Sequence, residues 1–282
     1  MTTIETPLTT LHQGDARDVL LTLADESVQT VVTSPPYWGL RDYGVDGQIG
    51  LEPTPELYVE NMVSIFRDVR RVLRSDGTLW LNMGDSYAGS GAGGGGNRKG
   101  NEHGQHNAVA KKSRPSALPT HKPKDLVGIP WRLAFALQAD GWYLRCDIIW
   151  SKPNPMPESV TDRPTKAHEY IFLLTKSARY YYDAEAIREP QRNKRSVWEI
   201  PTQPYSEAHF ATFPEALVRP CILAGTSEAG VVLDPFAGSG TTLAVATSLG
   251  RKSIGIELSD EYMEIARKRI TKQTPALPME TV

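Results

Sequence analysis

The sequence predicts an α/β fold: a mostly parallel sheet with helices on both faces, interrupted by one long flexible insertion. Three observations carry that expectation. The apolar run Val28-Gln29-Thr30-Val31-Val32 reads as a buried strand, and Thr33-Ser34-Pro35-Pro36-Tyr37-Trp38 follows it. Two prolines cannot continue a sheet ladder, so the strand stops there. Val231-Val232-Leu233-Asp234 reads as a second strand, leading through a glycine turn into an apolar helix that reaches Leu249. One strand later, Ile254-Gly255-Ile256-Glu257 ends in an acid. Such strand ends gather at the carboxyl edge of an open α/β sheet, where ligands sit.

Composition agrees with this class. The chain has 282 residues, enough for one large domain, taken as 1–282, or at most two. Its 40% hydrophobic and 23% charged content is that of a globular protein. No apolar run is long enough to span a bilayer, and the N-terminus lacks the basic and apolar regions of a signal peptide. Cys146 and Cys221 are too few for a disulfide framework or a metal cluster, so no metal site is expected. A cytoplasmic protein with no membrane partner follows. The net charge of −2 excludes a globally basic nucleic-acid binder and leaves local basic segments to consider.

Taken in order, residues 1–10 read as a poorly ordered arm. Leu11 to Asp15 reads as a strand and turn, with Asp15 opening a helix over Ala16–Leu23. After the Pro-Pro turn, Arg41-Asp42-Tyr43-Gly44 and the glycines at 47 and 50 form a loop placed to close over a site. A helix from Pro55 to Leu73 buries one face, with Arg67, Arg70, Arg71 and Arg74 on a solvated face opposite. Thr78–Met83 is a strand. Residues 84–124 then lose periodicity, and between 97 and 124 seven basic residues, including Lys111, Lys112 and Arg114, face the single acid Glu102. Such a cationic loop either neutralises phosphates or is a solvated surface insertion; contact with DNA is the favoured reading.

Val127–Ala139 reads as a helix with Pro130 in its first turn, and Leu144–Trp150 as a strand. Ser151-Lys152-Pro153-Asn154-Pro155-Met156-Pro157 is a second rigid turn at a strand end, and His168–Leu174 is a strand. Residues 178–208 hold Arg188, Arg192, Lys194 and Arg195 beside three tyrosines, Tyr180, Tyr181 and Tyr182. Pro214–Ala224 reads as a helix interrupted by Pro220, with Cys221 as a core residue. Asp260–Ile270 is a final helix with Tyr262, Ile265, Ala266 and Ile270 inward, and 271–282 is a frayed tail.

The residues alone indicate a ligand. The extended Pro-Pro turn fixes a hydroxyl, free carbonyls and an aromatic face around one point. These groups either suit a flat molecule bearing an amino group or form a plain Pro-Pro loop with a packed tyrosine, and a second stretch favours the ligand. In Asp234-Pro235-Phe236-Ala237-Gly238-Ser239-Gly240-Thr241-Thr242, the glycines let backbone approach a ligand. Thr241 or Thr242 is placed to cap the following helix. The spacing is neither G-x-G-x-x-G nor a phosphate loop. Glu257, some twenty residues on, is placed to bind a ribose diol.

These motifs resemble those of the S-adenosylmethionine (SAM)-dependent DNA amino-methyltransferases. Residues 234–242 resemble the SAM loop, and Thr-Ser-Pro-Pro-Tyr at 33–37 resembles the catalytic motif. The catalytic motif comes first, which is the circularly permuted order of the β class. His209-Phe210-Ala211-Thr212-Phe213-Pro214-Glu215 resembles the segment placed just before the SAM loop, and Trp-Ser-Lys-Pro-Asn and His-Glu-Tyr-Ile-Phe resemble later motifs. The resemblance covers most of residues 11–270 and implies a Rossmann-like methyltransferase domain.

It also implies roles. Asp15 is either an acceptor for the cofactor's adenine amino group or a plain helix cap. Phe213, Asp234, Pro235, Phe236, Gly238, Gly240, Thr241, Thr242, Glu257 and Leu258 would hold SAM. Ser34, Pro35, Pro36 and Tyr37 would be catalytic. Trp38, Arg41, Lys111, Lys112, Arg114, Lys152, Asn154, Arg192, Lys194 and Arg195 would meet double-stranded DNA, with 178–208 as the candidate target-recognition segment.

The implied chemistry needs no metal and no covalent intermediate, because an exocyclic amine attacks directly once its N–H bonds are accepted. Pro220-Cys221 supplies the dipeptide of C5-cytosine enzymes but lies within an apolar helical pattern. Ser34 in place of aspartate leans toward cytosine N4 over adenine N6. Methylation of RNA or a protein amide, or a DNA-binding regulator without catalysis, is the alternative. A homodimer and a cognate restriction enzyme are further expectations of the class.

Overall fold

The computed structural model describes residues 2–40, 47–88, 121–203 and 213–273. Its strands are β1 (Thr3–Glu5), β2 (Thr9–Gln13), β3 (Val28–Thr33), β4 (Leu73–Met83), β5 (Tyr143–Ser151), β6 (His168–Thr175), β7 (Val197–Glu199), β8 (Val231–Asp234) and β9 (Lys252–Glu257). All join one sheet in the order β1-β2-β9-β8-β3-β4-β6-β5-β7. Strands β2, β9, β8, β3 and β4 run parallel to their neighbours, while β1 and the β4-β6 and β5-β6 pairs are antiparallel.

The helices are α1 (Ala16–Thr22), α2 (Pro55–Val72), α3 (Ile129–Ala139), α4 (Glu215–Gly225), α5 (Thr241–Ser248) and α6 (Asp260–Gln273). Strand alternation sorts them onto two faces. Val31, Leu79 and Leu81 point toward α1, α2 and α3, whose Leu20, Tyr58, Phe66 and Leu133 are buried there. Val32, Trp80 and Val232 point the other way, against Leu217, Cys221 and Ile222 of α4 and Val245 of α5. Each fully buried Leu, Ile or Val contributes about 1.5–3 kcal/mol. The expected sheet with helices on both faces is therefore present.

Several expectations are corrected. The N-terminal arm is not disordered over its described length: Thr3–Glu5 pairs with Thr10–His12 as an edge hairpin. Arg67 is exposed as expected, though it bonds Asp140, whereas Arg71 is half-buried and reaches the Leu20 and Leu23 carbonyls and Asp25. They tie α2 to its neighbours. Pro220 does not interrupt α4, which runs unbroken through it. Burial of Leu217, Val218, Cys221 and Ile222 outweighs the roughly 3 kcal/mol that an internal proline costs. Strand β7 within 178–208 had no sequence signal, since three residues are too short for a period.

The insertion leaves the sheet at the carboxyl end of β4 and returns beside it. Ala88 N donates to Asp125 O at 2.8 Å, and Lys124 N donates to Ala88 O at 3.0 Å. Residues 89–120, with Lys111, Lys112 and Arg114, lie outside the described residues, as does Arg41.

Candidate active site

A cleft of about 940 Å³ opens along the carboxyl ends of the central strands. Sheet order divides it. On one side of β3 lie the ends of β8, β9 and β2, and on the other lie the end of β4, the start of β6 and the end of β5.

At β3 the chain turns as the two prolines require. Tyr58, fully buried on α2, donates its hydroxyl to the Pro36 carbonyl at 2.9 Å and fixes the turn from below. The Pro35 carbonyl accepts no hydrogen bond from the described residues. Ser34 Oγ donates to the Tyr37 hydroxyl at 3.2 Å, and that hydroxyl donates to Glu169 Oε2 at 2.8 Å. The carboxylate sets the direction of this chain, so the Ser34 lone pairs remain available to accept. Glu169 is held in turn by Lys152 Nζ and by Asn82 Nδ2, the latter at 3.2 Å. Lys152 also lies over the Trp150 ring, 4.2 Å from its centroid. Gly84 leaves room for Tyr37: a Cβ there would sit 2.6 Å from Tyr37 Cε2.

Beyond Asn82, Asp85 Oδ1 accepts from Gly128 N and Ile129 N, capping α3 from the end of β4. His168 packs edge-on against Tyr170. Burial first, then the neighbouring Lys166, pushes the His168 pKa below its ordinary value.

On the other side, the turn after β8 is built around two carboxylates. Glu257 Oε2 accepts from Gly238 N and Oε1 from Ser259 N, both at 2.8 Å. Burial raises its pKa against these two N–H donors. Asp234 is wholly buried, accepting from Thr33 Oγ1 at 2.7 Å and Phe236 N at 3.1 Å; the Thr242 hydroxyl lies near enough to favour its charge, but no described residue forms a hydrogen bond of ordinary geometry with its Oδ2. Burial pushes its pKa up to about 6, opposed by the Thr33 hydroxyl. Arg269 of α6 donates to Ser239 Oγ, Thr241 Oγ1 and Glu215 Oε1. One guanidinium thus ties the glycine turn to α4.

The structure brings most of the expected residues to this cleft. Ser34, Pro35, Pro36 and Tyr37 line its centre. Asp15, Phe213, Pro235, Phe236, Gly238, Thr241, Glu257 and Leu258 line one end, and Lys152 and Asn154 the other. Asp15 caps α1 through Arg17 N at 2.8 Å and pairs with the Arg17 guanidinium. Arg17 also reaches Gly47 O at 2.9 Å, pinning the loop that follows residues 41–46. Although burial opposes it, this pairing with Arg17 holds the Asp15 carboxyl below its usual range.

Other residues stand elsewhere. Asp234 lies beneath the turn. Gly240 does not line the cleft; its φ is +76°, and a Cβ there would meet Ala266 Cβ at 2.9 Å, so its need is packing against α6. Neither threonine caps α5, whose N-cap is Gly240. Thr242 instead donates to Val32 O at 3.1 Å. Trp38 is buried in the core and donates to Glu52 O at 2.9 Å, because its indole packs under the turn rather than into the cleft. Arg192 pairs with Glu189, and Lys194 covers the Trp198 ring, both away from the cleft. Arg195, whose carbonyl accepts from Trp198, lies there with them. Tyr58, Asn82, Gly84, Lys166 and Arg269 carried no sequence signal that set them apart from core or surface positions.

A family model described as a DNA methylase, for N6 and N4 methylation, matches residues 28–268. The chain is 54% identical over 266 residues to the Type II methyltransferase M.Cfr9I of Citrobacter freundii, covering 93% of this chain and 87% of that one. It is 54% identical over 267 residues to the Type II methyltransferase M.SmaI of Serratia marcescens, covering 92% and 90%. A Thermus thermophilus protein, provisionally assigned as a DNA modification methylase and solved with S-adenosyl-L-methionine, is 27% identical over 95% of each chain with TM-score 0.66. The PvuII cytosine-N4-specific DNA methyltransferase shares the fold at TM-score 0.72 and 21% identity, covering 94% and 86%.

Proposed function

Because the chain belongs to the N6/N4 DNA methylase family, we propose that its Pro-Pro turn and glycine turn divide one reaction between them. The protein is a SAM-dependent DNA amino-methyltransferase. When bound, SAM supplies an electrophilic methyl group. The residues fit it: SAM is cationic, and the turn carries the half-buried Glu257 carboxylate at the cleft and the buried Asp234 beneath, whose Oδ2 has no hydrogen-bond partner among the described residues. Glu257 is held by two backbone N–H groups with lone pairs left for a ribose diol. Phe213, Phe236 and Leu258 offer apolar surface at that end.

Across β3, Ser34 Oγ and the Pro35 carbonyl accept the two N–H bonds of an exocyclic amine. That favours a tetrahedral nitrogen and frees a lone pair otherwise delocalised into the ring. Tyr37 stacks on the base, its hydroxyl anchored by Glu169. The amine is unreachable in a duplex, so the base flips into the cleft. The remaining work is alignment of the amine with the methyl group. The single observation that carries this reading is the hydrogen-bond chain Ser34 to Tyr37 to Glu169, which leaves serine an acceptor.

The target base we assign is cytosine at N4, on the strength of Ser34, a neutral hydroxyl where adenine-N6 enzymes of the resembled family carry aspartate. The basic insertion within 84–124 and the segment 178–208 are assigned to DNA contact and target recognition. The Type II names of the relatives support restriction-modification, with a cognate restriction enzyme as partner. Homodimerisation rests on the class alone, and a cytoplasmic location on the DNA substrate. Among the described residues, no helix is long and apolar enough to cross a membrane. The test is incubation with SAM and mixed-sequence duplex DNA, digestion to nucleosides and mass spectrometry. N4-methylcytosine is expected. N6-methyladenine overturns the base assignment and keeps the reaction. Neither product, with SAM bound, brings RNA or protein substrates forward.

A further inference from the structure

Lys166 differs from every other cation of the cleft. It lies just before β6 and lines the cleft. Its ammonium nitrogen is buried and makes no hydrogen bond among the described residues. Lys152, by contrast, is paired with Glu169. The charged groups facing Lys166 are Asp85, Glu169 and Glu158, which favour its cationic form, and Lys152, which opposes it. Burial outweighs them and lowers its pKa. A buried amine without a partner costs stability, and substrate is what can supply that partner.

Sheet order says where such a partner would lie. Ser34 follows β3, and Lys166 precedes β6, with β4 between them. Two strand spacings are roughly 10 Å. That is about the span of one pyrimidine ring with a hydrogen bond at each end. The end of the cleft assigned to SAM lies on the opposite side of β3.

We propose that Lys166 is a specificity-determining residue of the base pocket, donating to the ring carbonyl O2 of a flipped cytosine whose amino group is held by Ser34 and Pro35. This rests on the amino-methylation reading above. Cytosine carries an acceptor oxygen two ring atoms from the carbon that bears its amine. Adenine carries a C–H at the matching position. The ammonium is satisfied by cytosine and left buried and unpaired by adenine, which is the arrangement that discriminates most strongly between ligands.

The test is Lys166→Met in the full chain, which keeps volume and removes the donor. With mixed-sequence duplex DNA and SAM, kcat/KM for N4-methylcytosine formation is expected to fall roughly tenfold to a hundredfold. SAM affinity is expected to stay unchanged, and Tm to rise as the unpaired charge is removed. The slope of log affinity for DNA against log salt is expected to stay the same. Lys166→Gln, which restores a donor, is expected to recover part of the lost kcat/KM. Unchanged turnover in Lys166→Met, with wild type making N4-methylcytosine, overturns the role of Lys166 alone. A salt slope reduced by about one assigns Lys166 to a phosphate and overturns it too. A fall in Tm together with activity, unrescued by glutamine, makes Lys166 structural. Wild type that yields only N6-methyladenine instead removes the cytosine reading itself.

Discussion

The Tyr37 hydroxyl donates to the Glu169 carboxylate at 2.8 Å, joining the turn after β3 to a strand 132 positions away. This shorter bond, with Asn82 Oδ1 as a second acceptor at 3.3 Å, sets which way the neighbouring hydroxyls point. Glu169 accepts from Tyr37, and Tyr37 accepts from Ser34. Loss of the carboxylate leaves only the longer bond to Asn82 Oδ1, so Tyr37 donates part of the time toward Ser34, and Ser34 then directs a proton at the incoming amine. Glu169→Gln is therefore expected to lower kcat by roughly tenfold to a hundredfold. Tyr37→Phe keeps the stacking ring and is expected to cost less than Tyr37→Ala. SAM affinity is expected to hold in all three, measured by calorimetry beside single-turnover rates. A Glu169→Gln enzyme with full turnover refutes the orientation argument.

Gly84 has a different function, that of empty space. A Cβ there would approach Tyr37 Cε2 to 2.6 Å and Glu169 Cδ to 3.4 Å. Gly84→Ala must push the ring aside, at a cost of about 1–3 kcal/mol in strain. Turnover is expected to fall while SAM binding persists, because the displaced ring lies on the far side of β3 from the glycine turn. Equal loss of SAM affinity refutes this division of the cleft.

What the sequence made legible was local. Ser34-Pro35-Pro36-Tyr37 could be read as a strand end because proline stops a ladder within two residues. Glu257 could be read as a strand-end acid because it closes the strand after the glycine turn; its bond from Gly238 N was not legible. Partnerships across the sheet were not legible. Nothing near Lys152 says that it pairs with Glu169, or near Trp38 that its indole turns inward to Glu52. The edge strand Thr3–Glu5 has too little apolar content to show a period, and is fixed by pairing with β2. Thr241 and Thr242 looked like caps, yet tertiary partners Arg269 and Val32 took their hydroxyls.

Arg269 is the clearest case of a residue hidden by its neighbours. It follows the charged pair Arg267 and Lys268 on α6, yet it is only 7% exposed. It bonds Ser239 Oγ at 3.2 Å, Thr241 Oγ1 at 2.8 Å and Glu215 Oε1 at 2.8 Å. Arg269→Met leaves two hydroxyls of the glycine turn without their donor. A loss of about 2 kcal/mol in stability is expected, discounted for the partial exposure of Glu215. SAM affinity is expected to fall with it, while the rate at saturating SAM changes little. Arg269→Lys, with one donor group for three acceptors, is expected to fall between the two. An unchanged SAM affinity in Arg269→Met refutes the positioning role.

Asp234 makes stability depend on pH in a direction opposite to most surface carboxylates. Burial raises its pKa from 3.8 to about 6. Between those values the folded protein holds the proton more tightly than the unfolded chain. Stability from this group is therefore fully present below the unfolded pKa and is lost as pH rises through about 6. The swing is on the order of a few kcal/mol. Asp234→Asn removes it and keeps an oxygen that can accept from Thr33 and Phe236 N. The difference in unfolding free energy between wild type and Asp234→Asn, measured by denaturant titration at pH 4.5 and 7.5, isolates the group. The variant is expected to gain on wild type as pH rises. A difference that is flat, or that moves toward wild type with rising pH, would mean that the folded carboxyl titrates at or below its ordinary value, and that a tighter set of donors than Thr33 and Phe236 N stabilises its charge.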